Sequence, residues 1–72
     1  MKNYYLNRDR SSNPNNNNEV HVDGCYWLSL VPLYNRVYLG LFNNGREAVA
    51  HAKKTYPYAD GCKNCCPEAH KG

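Results

Sequence analysis

Two short pairs of side chains in this chain are built for metal binding: His21-x3-Cys25 and, near the other end, Cys62-x2-Cys65. Zinc(II) takes thiolate sulfur and imidazole nitrogen readily, has no geometric demand from its d electrons, and when structural is closed by four protein ligands in a tetrahedron. One histidine and three cysteines therefore read as one structural Zn2+ site of the Cys3His type. Cys66 and His70 lie close enough in sequence to serve as alternates. Cys66 adjoins Cys65, and two adjacent residues directing both sulfurs at one ion would strain the turn, so Cys66 reads rather as a small buried thiol. His70 is the substitute if His21 points away.

The elements that must position these ligands are short. The chain has 72 residues, a size at which a hydrophobic core alone supplies roughly 3–5 kcal/mol and a staple such as a metal is commonly needed. It contains no isoleucine and a single phenylalanine, while seven tyrosines make up most of its aromatic material. Tyrosine buries a ring but keeps a hydroxyl that needs a partner or water, so a thin core with tyrosines at its boundary is expected.

Residues 3–8 can form a short strand, followed by an Asn-rich flexible loop over about 11–19, where Ser11, Ser12, Asn13, Pro14 and Asn15 to Asn18 disfavour regular structure. Val20-His21-Val22 alternates as a brief strand, and Asp23-Gly24 turns it so that His21 and Cys25 meet across the turn. Val37 to Phe42 is the strongest strand in the sequence and is expected at the centre of a small sheet. A helix is predicted from Gly45 to about Tyr56, with Asn44 as N-cap, Glu47 as its capping-box partner and Pro57 as the stop. Ala48, Val49, Ala52 and Tyr56 would face the sheet, leaving Arg46, His51, Lys53 and Lys54 toward water. His51 has no cluster partner nearby in sequence and is read as an exposed helix residue. Asp60 to Glu68 completes the chain as a zinc-knuckle-like turn, in which backbone amides point at the two thiolates. The expected fold class is α+β: one domain with a small antiparallel sheet, one covering helix and a C-terminal knuckle.

Composition narrows the function. No apolar run suits a signal peptide or a membrane span, so a cytoplasmic location with no membrane partner is expected. In a reducing compartment four cysteines hold metal more often than disulfides; a disulfide-bonded extracellular mini-protein is the competing reading. The net charge of +3 permits an anionic partner without demanding one. Arg36, Lys53, Lys54 and Lys63 are the candidates for phosphate contact, with Tyr58 or Trp27 for stacking, although these basic residues are scattered rather than aligned. No Gly-rich phosphate loop, paired-carboxylate site or H-E-x-x-H arrangement is present, so no enzyme activity and no small-molecule substrate are expected. The alternative is chemical: a zinc-thiolate protein whose Cys66 or Cys25 senses redox change or alkylating agents.

The pattern His21-x3-Cys25, then Asn35-Arg36-Val37-Tyr38-Leu39, then Arg46-Glu47-Ala48, then Gly61-Cys62-Lys63-Asn64-Cys65-Cys66-Pro67 resembles the metal-binding domain of Ada-type alkylation-response proteins and the small stand-alone modules like it. The resemblance covers about residues 20–67 and implies a zinc-binding α+β module, of the kind found in bacterial proteins, near nucleic acid. In that family the first cysteine of the C-x3-C pair is the methyl acceptor, and His21 occupies that position here. An imidazole cannot replace a zinc-activated thiolate as the nucleophile, so the resemblance implies the zinc module without methyl-phosphotriester repair. The segment Tyr56-Pro57-Tyr58-Ala59-Asp60 is also an insertion relative to the family pattern.

Overall fold

The computed structural model describes residues 1–71 apart from Ser12 and Pro14, with Gly72 also outside the described residues. Among the described residues the chain forms strand β1 (Lys2–Asn7), strand β2 (Asn18–Val22), a single-turn helix α1 (Tyr26–Ser29), strand β3 (Arg36–Phe42), helix α2 (Gly45–Ala52) and strand β4 (Ala59–Gly61). Short 3-10 turns follow at Leu33–Asn35 and Pro67–Ala69. The strands make one sheet in the order β3-β1-β2-β4.

β1 alternates strictly between the sheet's two faces, and the register shows where each face looks. Tyr4 lies opposite Val22 and Leu6 opposite Val20, while Tyr5 lies opposite both His21 and Tyr38. The first set packs under α2, where Tyr4, Leu6, Val20, Ala48, Val49, Ala52, Ala59, Cys66 and Ala69 form the core. The opposite face carries Tyr5, His21 and Tyr38, and Leu28 and Val31 of the α1 segment are buried as well. Arg36 draws this segment in, donating from Nε to the Val31 carbonyl at 2.8 Å and from Nη2 to the Ser29 carbonyl at 3.4 Å.

Several sequence expectations need correction. β3 lies at an edge of the sheet, not at its centre; β1 and β2 fill the middle because Leu6 and Val20 are fully buried, whereas Tyr38 and Leu41 remain exposed. The sheet is mixed, since β4 runs parallel to β2 although the other pairings are antiparallel. The helix ends at Ala52, and residues 53–55 continue as turns, with the chain still hydrogen-bonded to the helix as the Tyr56 amide donates to the Ala52 carbonyl at 2.8 Å. Its N-terminus is as expected: the Asn44 side chain accepts from the Glu47 amide at 3.0 Å. The reciprocal contact differs, because the Glu47 carboxylate accepts from the amide of Asn43, one residue before the cap, at 3.3 Å.

The loop is also shorter than its composition implies. Asn18 and Glu19 belong to β2, and Asn18 is buried with its amide donating to the carbonyls of Asn7 and Arg8 at 3.0 and 3.1 Å. Residues 12 and 14 of the expected loop lie outside the described residues. Tyr4 departs from the boundary pattern of the other tyrosines and is 2% exposed, with Phe42 edge-on to its ring.

Candidate metal centre

The site starts from strand direction. β2 and β4 run parallel, with Val20 beside Gly61, so the C-terminal ends of both strands arrive at the same edge of the molecule. The end of β2 carries His21 and the turn after it leads to Cys25; the chain leaving β4 carries Cys62 and Cys65. Antiparallel pairing would have sent one of these pairs to the far end of the sheet.

Each pair is held by a local turn. The Cys25 amide donates to the Val22 carbonyl at 3.1 Å, closing a four-residue turn whose third residue, Gly24, has φ of +93°. That sign is required at this position of a type II turn and is why glycine occupies it. Cys25 then serves as N-cap of α1. At the other end the Cys66 amide donates to the Cys62 carbonyl at 2.8 Å and the Cys62 amide to Val20 at 2.9 Å, which pins the knuckle to β2. Gly61 is needed for close approach: a Cβ there would sit 2.7 Å from the Cys66 carbonyl oxygen and 2.8 Å from the Ala69 Cβ.

These turns bring one ligand atom from each of His21, Cys25, Cys62 and Cys65 within 4.8 Å of one another. His21 Nδ1 stands 3.7 Å from Cys25 Sγ and 3.9 Å from Cys65 Sγ. A tetrahedral zinc ion with its usual bond lengths would set nitrogen and sulfur about 3.6 Å apart and two sulfurs about 3.8 Å apart. The two nitrogen–sulfur distances therefore already stand close to what one four-coordinate ion requires, and the remaining pairs lie within 4.8 Å. The four cysteines are free thiols.

The electrostatics fit an ion-binding cluster that must lose protons when it fills. Burial pushes the Cys62 thiol up to about 12, against the opposing pull of the Cys65 and Asn64 amides. The Cys65 thiol is raised by its hydrogen bond with Cys66 and by burial, which outweigh the Val22 amide that donates to its sulfur at 3.4 Å. Cys25 is also raised by burial, with the Leu28 and Trp27 amides pulling the other way. His21, 1% exposed, is pushed down to about 4 by burial and is neutral at pH 7 with a lone pair to offer. The backbone amides around each sulfur favour thiolate, so a cation supplies what burial withholds.

The two alternates are placed elsewhere. Cys66 is fully buried in the core, where its hydrogen bond with Cys65 lowers its pKa; the Sγ atoms are 3.7 Å apart, but Cys66 is outside the four-residue cluster. His70 turns to β4 instead, with Nδ1 3.1 Å from the Gly61 carbonyl and 3.5 Å from Asp60. His51 is exposed on α2 with its ring against Phe42.

The phosphate-contact candidates do not converge. Arg36 is committed to the α1 segment, Lys53 and Lys54 are exposed just beyond α2, and Lys63 is exposed on the knuckle. Tyr58 carries the Arg10 guanidinium 3.9 Å above its ring, whereas Trp27 is 46% exposed beside Tyr26. Sequence reasoning missed α1 and β4, both too short for a periodic signal, and with them an exposed apolar stretch next to Cys25: Tyr26, Trp27, Leu30, Leu33 and Tyr34. Two adjoining clefts of about 460 and 430 Å3 share Asn7, Glu19 and Trp27 and reach Cys62 and His21 respectively.

No helix among the described residues is long and apolar enough to cross a membrane. No known protein family, curated protein or solved structure matches the chain.

Proposed function

We propose that this chain is a zinc module in which one Zn2+, held by His21 Nδ1 and the sulfurs of Cys25, Cys62 and Cys65, fixes the fold of a small binding or adaptor protein. The observation that carries this reading is the mutual spacing of the four donor atoms, all within 4.8 Å. One imidazole and three thiolates form a soft donor set that favours zinc over magnesium or calcium. Four protein ligands close a tetrahedron and leave no open position for a metal-bound water, so the metal serves structure rather than hydrolysis. The likeness to Ada-type modules rests on the residue pattern alone and agrees with this reading, with His21 in place of the acceptor cysteine.

A binding role, rather than catalysis, is supported by the exposed Tyr26, Trp27, Leu30, Leu33 and Tyr34 beside the metal cluster, since contiguous exposed apolar surface marks interaction sites. The dispersal of Lys53, Lys54 and Lys63, and the internal commitment of Arg36, favour a protein partner over nucleic acid. Gel-shift titrations at low salt with single- and double-stranded DNA and RNA test this: absence of binding is the expected result. The sensing alternative draws on the 3.7 Å contact between the Cys65 and Cys66 sulfurs. Resistance of the zinc-loaded thiols to mild peroxide and alkylating agents would dismiss it.

The metal assignment is tested by native mass spectrometry with elemental analysis on protein purified without added metal. One zinc per chain, retained in Cys66→Ala and weakened in His21→Ala, is expected. A chain without metal and lighter by two or four hydrogens would mean disulfides and overturn the reading.

A further inference from the structure

We infer that Glu19 is the carboxylate that orients His21 for the metal, accepting a hydrogen bond from the Nε2–H while Nδ1 faces the ion; this rests on the Cys3His reading above. Glu19 and His21 are two residues apart on β2, so their side chains leave the same face of the sheet. The His21 ring has two ends with different surroundings. Nδ1 looks toward the Cys25 and Cys65 sulfurs at 3.7 and 3.9 Å, and Nε2 looks toward Glu19 Oε1 at 3.7 Å.

An imidazole that ligates through Nδ1 must carry its proton on Nε2. Here that N–H lies on a side chain only 2% exposed, where leaving a donor unpaired costs about 1–3 kcal/mol. Glu19 Oε1, at 3.7 Å, stands a small rotamer change short of a hydrogen bond to it. Its side chain is 26% exposed, so it reaches the ring from the cleft side and keeps room to adjust its rotamer. Metal-bound histidines commonly donate their second ring N–H to a carboxylate, which fixes the tautomer and strengthens the ligand, and loss of such a partner lowers affinity about 10–100-fold. Glu19 is a positioning residue and does not itself touch the ion.

The test measures zinc affinity by chelator competition in the wild-type chain, Glu19→Ala, Glu19→Gln and His21→Ala, together with nitrogen NMR of the His21 ring in the zinc-loaded protein. Expected are a loss of about 10–100-fold in Glu19→Ala and a smaller loss in Glu19→Gln, whose amide oxygen still accepts the proton. The ring spectrum should show a metal-bound Nδ1 and a protonated Nε2, a signature that a role in general stability would not set. If His21→Ala weakens zinc but Glu19→Ala binds within twofold of wild type, or if the ion sits on Nε2, the role of Glu19 is overturned and the metal site stands. If the wild-type chain takes no metal, or His21→Ala binds as well as wild type, the Cys3His reading falls and this inference with it.

Discussion

At the scale of single residues, the thiols of the cluster are more instructive than their spacing alone. Without a metal, burial holds Cys25 and Cys62 above the ordinary thiol value of 9.0, the hydrogen bond with Cys66 together with burial does the same for Cys65, and burial holds His21 below 6.5, so near pH 7 the three thiols are protonated and the imidazole is neutral. Zinc binding must then release three protons, and the logarithm of apparent affinity should rise by about three per pH unit between roughly pH 6 and 8. Calorimetry in buffers of differing ionisation enthalpy checks the proton count. The same shifts bound the stability of the chelated fold. A raised thiol pKa stabilises below the ordinary value and is lost as pH climbs toward about 12 at Cys62, whereas the lowered His21 stabilises above 6.5 and is lost as pH falls toward about 4. Urea midpoints of the chelated protein should accordingly be highest between these limits. All four residues of the cluster were legible in the sequence because each pair is local and chemically distinctive. The rejection of Cys66 was legible for the same reason, since neighbouring residues cannot easily aim two sulfurs at one point. The seat of His70 was not, because its partners Asp60 and Gly61 belong to a strand that its own sequence barely announces.

At the scale of elements, β4 shows what sequence pattern leaves out. Ala59-Asp60-Gly61 has no β-branched or aromatic residue and little intrinsic strand preference; it is a strand because β2 offers it a ladder and the knuckle beyond it must be anchored. Gly61 is the weak point of that arrangement. Gly61→Ala would drive a methyl group into backbone and should cost about 1–3 kcal/mol, read as a lower denaturation midpoint, with zinc affinity falling as the knuckle shifts. Asn44→Ala, which removes the side-chain acceptor at the start of α2, should cost about 1 kcal/mol and leave zinc affinity unchanged. The contrast separates elements that build the site from those that only cover the sheet. β3 was recognised as a strand but misplaced, since its apolar residues state that it pairs and not with which neighbour. Its edge position is blunted by a bulge: the register with β1 slips between Tyr4 and Tyr5, and Gly40 there takes φ of +120°. Such a break twists an edge away from continuous pairing with another chain.

At the scale of the whole molecule, the core is small enough that a metal held as proposed would weigh heavily in stability. Among the described residues, six of the twelve buried hydrophobic ones are alanine or cysteine, so the core is composed largely of small side chains. The α+β class follows from the sequence. The C-terminal segment is also tied back by hydrogen bonds away from the cluster: Glu68 accepts from the Gly45 amide at 2.7 Å, and Asp60 accepts from the Lys71 amide at 2.9 Å. These contacts hold the knuckle near its final place but contribute little each. Free zinc at a thousandfold excess over its dissociation constant would add about 4 kcal/mol to the folded state. A chelator should therefore lower the thermal midpoint by many degrees, and the drop should shrink in His21→Ala, whose weaker site has less to lose.

Trp27, the chain's single tryptophan, stands two residues after Cys25 and lines both clefts that border the cluster. An indole so placed makes the molecule its own optical gauge. Cobalt filling the cluster would quench its emission by short-range energy transfer, whereas zinc, without d–d absorption, would leave it bright, so exchange of one ion for the other can be followed in real time without a label.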